Sequence, residues 1–397
     1  MMSSAPTTID VSHIMGWKGS LTGIERVEFN LINHYFNNTE ANFICWEVEQ
    51  AEFVDVDRAV IRSEILDRTS EAEQSGSAPV RSIGQRIKNK LKRRSLPSVG
   101  ATIDGQTVVV LAGLWDSQSY IDGLIKLSRH NKLVHIVYDM IPLVTKGYVV
   151  DFMPPIFEKY FYSVLPVCTG VMAISKSSAN DTVKILKQRN SEIPKVDSFT
   201  LGDDIVRAKK DVKPSGVAGD FILSVGTVEA RKNHTLLYYA YKSLLQQGVE
   251  LPSLVIAGRK GWLTEDLCYM LEHDEDVKGK ILIKETITDS ELSWLYRNCL
   301  FTAFPSFYEG WGLPVVESLS YGKVTLSSNT SSLTEAGLDM ADYFSPFSTD
   351  ELTVLIHKYL DEPKRVAREK LITKSYKSNN WQATAKDFAD KVDALIG

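Results

Sequence analysis

The chain has 397 residues, 44% of them apolar, and a formal net charge of −5. That length exceeds one comfortable core and calls for two domains; the apolar share is that of a soluble globular protein, and so small a charge leaves no electrostatic footprint for nucleic acid. Cys45, Cys168, Cys268 and Cys299 are scattered without a C-x-x-C pair, which argues against a zinc cluster or disulfide scaffold and suits a reducing compartment. The N-terminus has no apolar signal core and no apolar run approaches the roughly eighteen residues of a membrane span, so a cytoplasmic protein is expected.

Thr8 to Ser12 reads as a first strand. The loop from Gly16 to Gly23 leads into a helical pattern with Val27, Leu31 and Tyr35 on one face. A glycine-rich loop between strand and helix is a phosphate-binding context, although such loops also simply turn the chain. Phe43 to Val48 reads as a second strand. Residues from about 68 to 79 are small and polar and read as a mobile loop. Ile83 to Arg94 places Ile83, Ile87 and Leu91 on one side of a dense basic face; it is either a helix lying on a membrane surface or a solvated cationic helix.

Thr107 to Gly113, Lys132 to Asp139 and Gly170 to Ser175 are continuous apolar runs, as strands buried in a parallel sheet require. Ligands of such sheets gather at the carboxyl ends of the strands, which singles out Trp115, Asp116, Tyr138, Asp139 and Ser175. Pro194 to Gly219 is polar and holds Gly202, Pro214 and Gly216, the composition of a linker. Phe221 to Gly226 opens a second α/β unit, and Arg231-Lys232 follows it beside a helix start, a pairing suited to a diphosphate or to a solvated turn. Strands at Ser253–Gly258, Ile281–Ile283 and Leu300–Pro305 continue the alternation.

After that last strand comes Tyr308-Glu309-Gly310-Trp311-Gly312-Leu313-Pro314-Val315-Val316-Glu317. Pro314 suits the first helical position and Gly322 the position just past the end, so Glu317 is expected in the first turn of a short helix. Glycines admit close approach of backbone to ligand, a helix N-terminus offers free N–H groups to an anion, and two carboxylates can take hydroxyls. The bland reading is a pair of surface acids flanking a loop.

This stretch resembles the E-x7-E element of retaining glycosyltransferases with the GT-B fold, particularly glycosyltransferase family 4. The resemblance is strong over Phe221 to Pro346, moderate over Val134 to Leu186 and thin before that. It implies two doubly wound Rossmann-like domains with a cleft between them: residues 1–205 for the acceptor, residues 218–372 for the nucleotide sugar, and a C-terminal helix at about 375–397 packing back on the first domain. It also implies that Glu309 meets the donor sugar and Glu317 the nucleotide ribose, with Gly310, Trp311, Gly312 and Leu313 lining the donor. Gly-Thr…Arg-Lys-Asn segments hold the donor phosphates in this family; Thr227 stands where many members have Arg, leaving the charge to Arg231 and Lys232. Nucleobase contacts fall near Thr286 and Ile287, and Gly23, with Arg26, lies in the family's first loop.

Tyr138-Asp139-Met140-Ile141-Pro142 resembles the family's His-Asp-x-x-Pro segment with Tyr138 in place of the His; Asp139 either orients an acceptor hydroxyl or caps the turn. The implied catalytic set is Glu309, Arg231, Lys232 and Asp139. No metal or other cofactor is implied, since side-chain cations hold the phosphates. The form of the motifs resembles mannosyl- and rhamnosyl-transferases of surface polysaccharide synthesis, so the expected reaction moves a hexose, mannose from GDP-mannose, to a glycan or glycolipid hydroxyl. GDP-rhamnose or UDP-sugar donors, a sugar-nucleotide epimerase and a non-catalytic sugar-nucleotide-binding partner are the alternatives.

Overall fold

A computed structural model describes residues 6–17, 23–67, 103–203 and 211–397. The basic segment at 83–94 and the polar stretch at 68–79 lie outside the described residues. The chain divides into two compact units, one formed by Met1–Met140, Pro155–Leu201 and Trp381–Gly397, the other by Ile141–Pro154 and Gly202–Asn380.

The first unit is built on a seven-stranded sheet of β1 (Thr7–Asp10), β2 (Asn42–Glu47), β3 (Glu52–Asp55), β4 (Thr107–Val110), β5 (Lys132–Val137), β6 (Gly170–Ala173) and β7 (Lys195–Ser198). Their spatial order is β3-β2-β1-β4-β5-β6-β7. All pairs are parallel except β2–β3. The central strands β4 and β6 are buried at every position, as helices on both faces of a parallel sheet require. Two strands escape the sequence reading. β3 is a four-residue edge strand, and β7 lies inside the stretch read as linker, its residues alternating between exposed and half-buried.

Helix Trp381–Ile396 buries Trp381, Phe388, Val392 and Leu395 against β6, β7 and helix Ile24–Asn38. Phe388 meets the rings of Phe199 at 4.9 Å and Tyr35 at 6.5 Å. Gly170 makes room here, since a Cβ on it would lie 3.2 Å from Leu395. Lys195 and Lys391 tie the same contact with bonds to the carbonyls of Leu395 (3.0 Å) and Ser198 (2.7 Å).

The second unit holds a six-stranded, wholly parallel sheet of β8 (Phe221–Val225), β9 (Ser253–Ala257), β10 (Ile281–Lys284), β11 (Thr302–Phe304), β12 (Thr325–Ser328) and β13 (Asp342–Phe344). The order is β10-β9-β8-β11-β12-β13. The winding therefore reverses between β8 and β11, and side chains that leave those two strands at their carboxyl ends converge there. Ile141–Pro154, which the sequence reading assigns to the N-terminal domain, packs in this unit instead. Its Ile141, Val149 and Met153 surround Tyr308, Tyr148 stacks on Phe307 at 4.6 Å and 8°, and Trp262 donates its indole N–H to the Tyr148 carbonyl at 3.1 Å.

Candidate active site

Past β8 the chain stays hooked to the segment after β9. Val228 N–H reaches Arg259 O at 2.9 Å, and Gly261 N–H reaches Val228 O at 2.7 Å. The approach is close enough that a Cβ on Gly258 would sit 2.0 Å from the Gly226 carbonyl. A single turn, Ala230–Lys232, then ends at Asn233, whose φ of 56° is left-handed. Asn tolerates that conformation better than most residues, and here its side-chain amide donates to the carbonyls of Pro305 (3.0 Å) and Pro346 (2.9 Å). The turn carrying Arg231 and Lys232 is thereby bolted to the ends of β11 and β13.

The loop after β11 delivers Glu309 between those two cations. Arg231 Nη1 donates to Glu309 Oε2 at 2.8 Å and to the Tyr308 carbonyl at 2.6 Å, while Nη2 donates to Glu229 at 2.5 Å. Lys232 Nζ meets Glu309 Oε1 at 2.6 Å, and Ser306 Oγ donates to that oxygen at 2.6 Å. Side-chain exposures are 13% for Arg231, 15% for Lys232 and 11% for Glu309. Burial alone raises a carboxyl pKa, but the charges of Arg231 and Lys232 and the bonds from Lys232 and Ser306 outweigh it, holding Glu309 at about 2. His234, next in line and buried, is kept neutral: desolvation and then the Lys232 charge depress its pKa to about 3.

The same loop is braced from behind. Glu309 N–H donates to Ser331 Oγ at 2.8 Å, and Ser332 Oγ lies 2.8 and 2.9 Å from the carbonyls of Glu309 and Trp311. Ser331 holds a φ of 47° to do this. Gly312 takes a φ of 109° at the head of helix Leu313–Ser320, and a Cβ there would meet Leu333 at 2.7 Å. Leu313, not Pro314, is the first helical residue, so Glu317 falls past the first turn, one residue later than the sequence spacing predicts. The helix closes as expected on Gly322 (φ 73°), with Lys323 N–H on Ser318 O and Gly322 N–H on Leu319 O. Glu317 is buried and accepts from Tyr296 Oη at 2.9 Å; the Tyr296 ring stacks on Tyr321 at 5.2 Å.

Glu309, Arg231, Lys232 and the Gly310–Leu313 loop are therefore brought together at the switch point. Thr227 heads the segment leading to the two cations, and Gly226 before it lies against the Lys232 side chain. Thr286 is exposed and Ile287 half-buried in the loop after β10, Ile287 packing on the Phe221–Tyr296 cluster. Gly23 and Asp139 belong to the other unit. Gly23, exposed and at φ 48°, precedes helix Ile24–Asn38; Asp139 is half-buried two residues past β5. His135, three residues before Tyr138, is a core residue: it bonds Tyr160 Oη (2.6 Å) and Ile136 O (2.7 Å), and burial lowers its pKa to about 4. Ser175 is spent capping helix Lys176–Gln188. Sequence reasoning missed Glu229, Ser306, Ser331, Ser332 and Tyr296, all of which act through a neighbour; only Ser306, three residues before Glu309, left a trace in the spacing.

Residues 207–378 match the family described as Glycosyl transferases group 1. The serotype-specific mannosyltransferase WbdA of Escherichia coli is 27% identical over 243 residues, 58% of this chain and 29% of its own length. The O-antigen chain mannosyltransferase B of Escherichia coli is 26% identical over 210 residues, 52% of this chain and 55% of its own. The chain thus spans about a third to a half of the length of these relatives. Among solved structures, one from E. coli, described as trehalose-6-phosphate bound with UDP-2-fluoro glucose, superposes with a TM-score of 0.64 at 10% identity, covering 98% of this chain and 99% of that one. At that identity the likeness speaks to fold alone, and the fold is GT-B: two α/β units, each wound about a mainly parallel sheet.

Proposed function

We propose that the protein is a retaining glycosyltransferase that moves mannose from GDP-mannose to a hydroxyl of a lipid-linked oligosaccharide or polysaccharide in cell-surface glycan synthesis. The observation that carries the transferase reading is Glu309 gripped by Arg231 and Lys232 at the switch point of the second sheet. The mannose reading rests on the matches to two mannosyltransferases, and the cell-surface glycan acceptor on the O-antigen chain that the name of the second gives.

In this reading the donor's diphosphate enters the field of Arg231 and Lys232, and Glu309 turns from neutralising them to binding the sugar hydroxyls. The bond between the anomeric carbon and the leaving phosphate oxygen breaks, and the acceptor oxygen bonds to that carbon on the same face. The acceptor's proton passes to the departing phosphate, so no protein nucleophile is required. The protein's contribution is electrostatic: cations and the N–H groups near Gly310 and Gly312 stabilise charge that grows on the diphosphate. Glu317 holds the ribose, and Asp139 orients the acceptor hydroxyl. Because two side chains supply the positive charge, the reaction runs without a divalent metal.

The test is a thermal-shift series with GDP, UDP, ADP and dTDP and their sugar conjugates in EDTA, followed by transfer assays with the donor that shifts. Ligands that bind only the folded state raise its melting temperature. A shift confined to GDP and GDP-mannose, with an α-linked product by NMR, is the expected result. A UDP-only shift replaces the donor, a β-linked product overturns retention, and no shift with any nucleotide overturns the transferase reading in favour of a non-catalytic role.

A further inference from the structure

The turn after β8 carries a second carboxylate to which the donor chemistry gives no role. Glu229 is 4% exposed, and its Oε1 accepts from Arg231 Nη2 at 2.5 Å. Arg231 is therefore shared between two acids, since its other terminal nitrogen reaches Glu309 at 2.8 Å and the Tyr308 carbonyl at 2.6 Å. Lys232 pairs with Glu309 at 2.6 Å.

The two carboxylates are held in different ways. Glu309 comes from the loop after β11, and it is the acid that turns to the sugar when a donor arrives. Glu229 lies two residues from Arg231 on the same turn, and its surroundings fix it there. Its carbonyl takes the Lys232 N–H at 3.0 Å, and the next residue, Ala230, donates to the Trp262 carbonyl at 3.2 Å. A Cβ on Gly261 would lie 3.2 Å from the Glu229 Cβ, so the segment after β9 packs against the base of this side chain. The Arg231 carbonyl is pinned in turn by Phe307 N–H at 2.9 Å. A buried carboxylate that leaves its guanidinium strands both charges out of water. Glu229 therefore stays on Arg231 whether or not Glu309 does.

The charge balance follows from this. With Glu309 in place, two cations and two carboxylates cancel. With Glu309 turned to the sugar, the cluster carries a single net positive charge; without Glu229 that charge would be doubled. The difference tells after transfer. When the bond from the anomeric carbon to the phosphate oxygen breaks, its electron pair stays on the diphosphate, so the product is more negative than the donor was. That charge is only partly developed in the transition state and fully developed in the product. Each added positive charge therefore tightens the product more than it speeds the transfer, and departure of product sets the turnover of many enzymes.

We propose that Glu229 is a positioning residue that acts through Arg231: by remaining on the guanidinium when Glu309 leaves, it holds the phosphate clamp to a single net positive charge and so lets the nucleoside diphosphate depart after transfer. The inference rests on the transferase reading above.

The experiment compares the full chain with its Glu229→Gln and Glu229→Asp variants. Each is titrated calorimetrically with inorganic pyrophosphate, GDP and UDP, and nucleotide dissociation is followed by stopped-flow tryptophan fluorescence. Glu229→Gln keeps an oxygen that accepts from Nη2 and removes the charge. Its pyrophosphate and nucleoside diphosphate dissociation constants are expected to fall about 3- to 10-fold, with the dissociation rate falling by the same factor. Glu229→Asp keeps the charge and should stay within about twofold of wild type. A role confined to holding the fold would lower the melting temperature and the fraction of chains that bind, while leaving the affinity and dissociation rate of the binding chains at the wild-type value. That result overturns the proposal, as does a Glu229→Asp variant that tightens as much as Glu229→Gln. A variant too unstable for calorimetry is read by the pyrophosphate concentration that raises its melting temperature; a need for as much pyrophosphate as wild type overturns the proposal there. A wild-type chain that responds to neither pyrophosphate nor any nucleotide overturns the transferase reading itself, and the role of Glu229 with it.

Discussion

Replacing Glu309 with Gln separates two jobs that the wild-type carboxylate performs at once. In the ligand-free protein it neutralises Arg231 and Lys232. Its pKa falls from the ordinary 4.5 to about 2, which corresponds to about 3 kcal/mol of favourable interaction with the ionised form. The pKa is depressed on folding, so this stability is fully present above about pH 4.5 and is lost as pH falls through about 2. The amide keeps the shape and a bond to Lys232 but not the charge. Glu309→Gln should therefore lower stability at pH 7 by about 2–3 kcal/mol, or very roughly 4–12 °C in melting temperature for a domain of this size, and should flatten the acid limb of the stability profile between pH 4.5 and 2.

The consequence for ligands has the opposite sign. With the competing carboxylate gone, both cations are available to an incoming diphosphate. Inorganic pyrophosphate and GDP should bind Glu309→Gln about tenfold more tightly than wild type, about 1.4 kcal/mol, and give it the larger melting shift. Transfer should nonetheless fall by about 10²–10³. Calorimetric titration of pyrophosphate into both proteins is the assay. Pyrophosphate affinity that stays the same or weakens in the variant would refute the reasoning that Arg231 and Lys232 form a phosphate clamp held in reserve by Glu309.

Gly312→Ala places a Cβ against Leu333 at a φ of 109° and should cost about 1–3 kcal/mol by urea denaturation while reducing nucleotide affinity. Glu317→Ala removes the Tyr296 hydroxyl's 2.9 Å acceptor and leaves it the Pro314 carbonyl at 3.5 Å, and should cost a similar 1–3 kcal/mol; because Glu317 is assigned to the ribose, it should weaken GDP about tenfold and leave pyrophosphate affinity unchanged. Asn233→Ala gives up two bonds and a left-handed turn, so a loss of about 2–4 kcal/mol is expected, with kcat falling as Arg231 and Lys232 lose their anchor. Phe388→Ala empties a fully buried aromatic site between Tyr35 and Phe199 and should lower stability by about 3–5 kcal/mol without altering the nucleotide-induced shift.

The buried parallel strands were legible because nothing else in a soluble chain looks like Val108-Val109-Val110-Leu111 or Phe221-Ile222-Leu223. β3 and β7 were not, since each is only four residues long, lies at a sheet edge and carries no more than two apolar residues. The charges at the second sheet's switch point were legible for a similar reason: Arg231-Lys232 and Glu309 each follow a strand with a recognisable pattern. Their mutual pairing was not, because residues 77 and 78 positions apart are joined only by the winding order of the sheet. The supports were hidden further. Ser331 and Ser332 read as loop, and nothing in their sequence says that their hydroxyls hold the Glu309–Trp311 backbone. Pro314 shows how a positional preference misleads by one residue: it is tolerated anywhere in a first turn, and Gly312 set the start instead.

The way the chain is shared out between the units has a consequence for biosynthesis. Residues up to Leu201 supply every strand of the first sheet, yet the helix that covers β6 and β7 begins only at Trp381. At translation rates of 5–20 residues per second, the sheet waits about 10–40 s for it. Over that interval the faces that will receive Phe388, Val392 and Leu395 are open, while the intervening residues can complete the second unit. That unit is not delayed in the same way, because its borrowed segment, Ile141–Pro154, is made before the Tyr308 loop it receives. The unit whose strands are made earlier is therefore completed later, and a ribosome stalled before Trp381 would hold a folded second unit tethered to a sticky, half-covered first one.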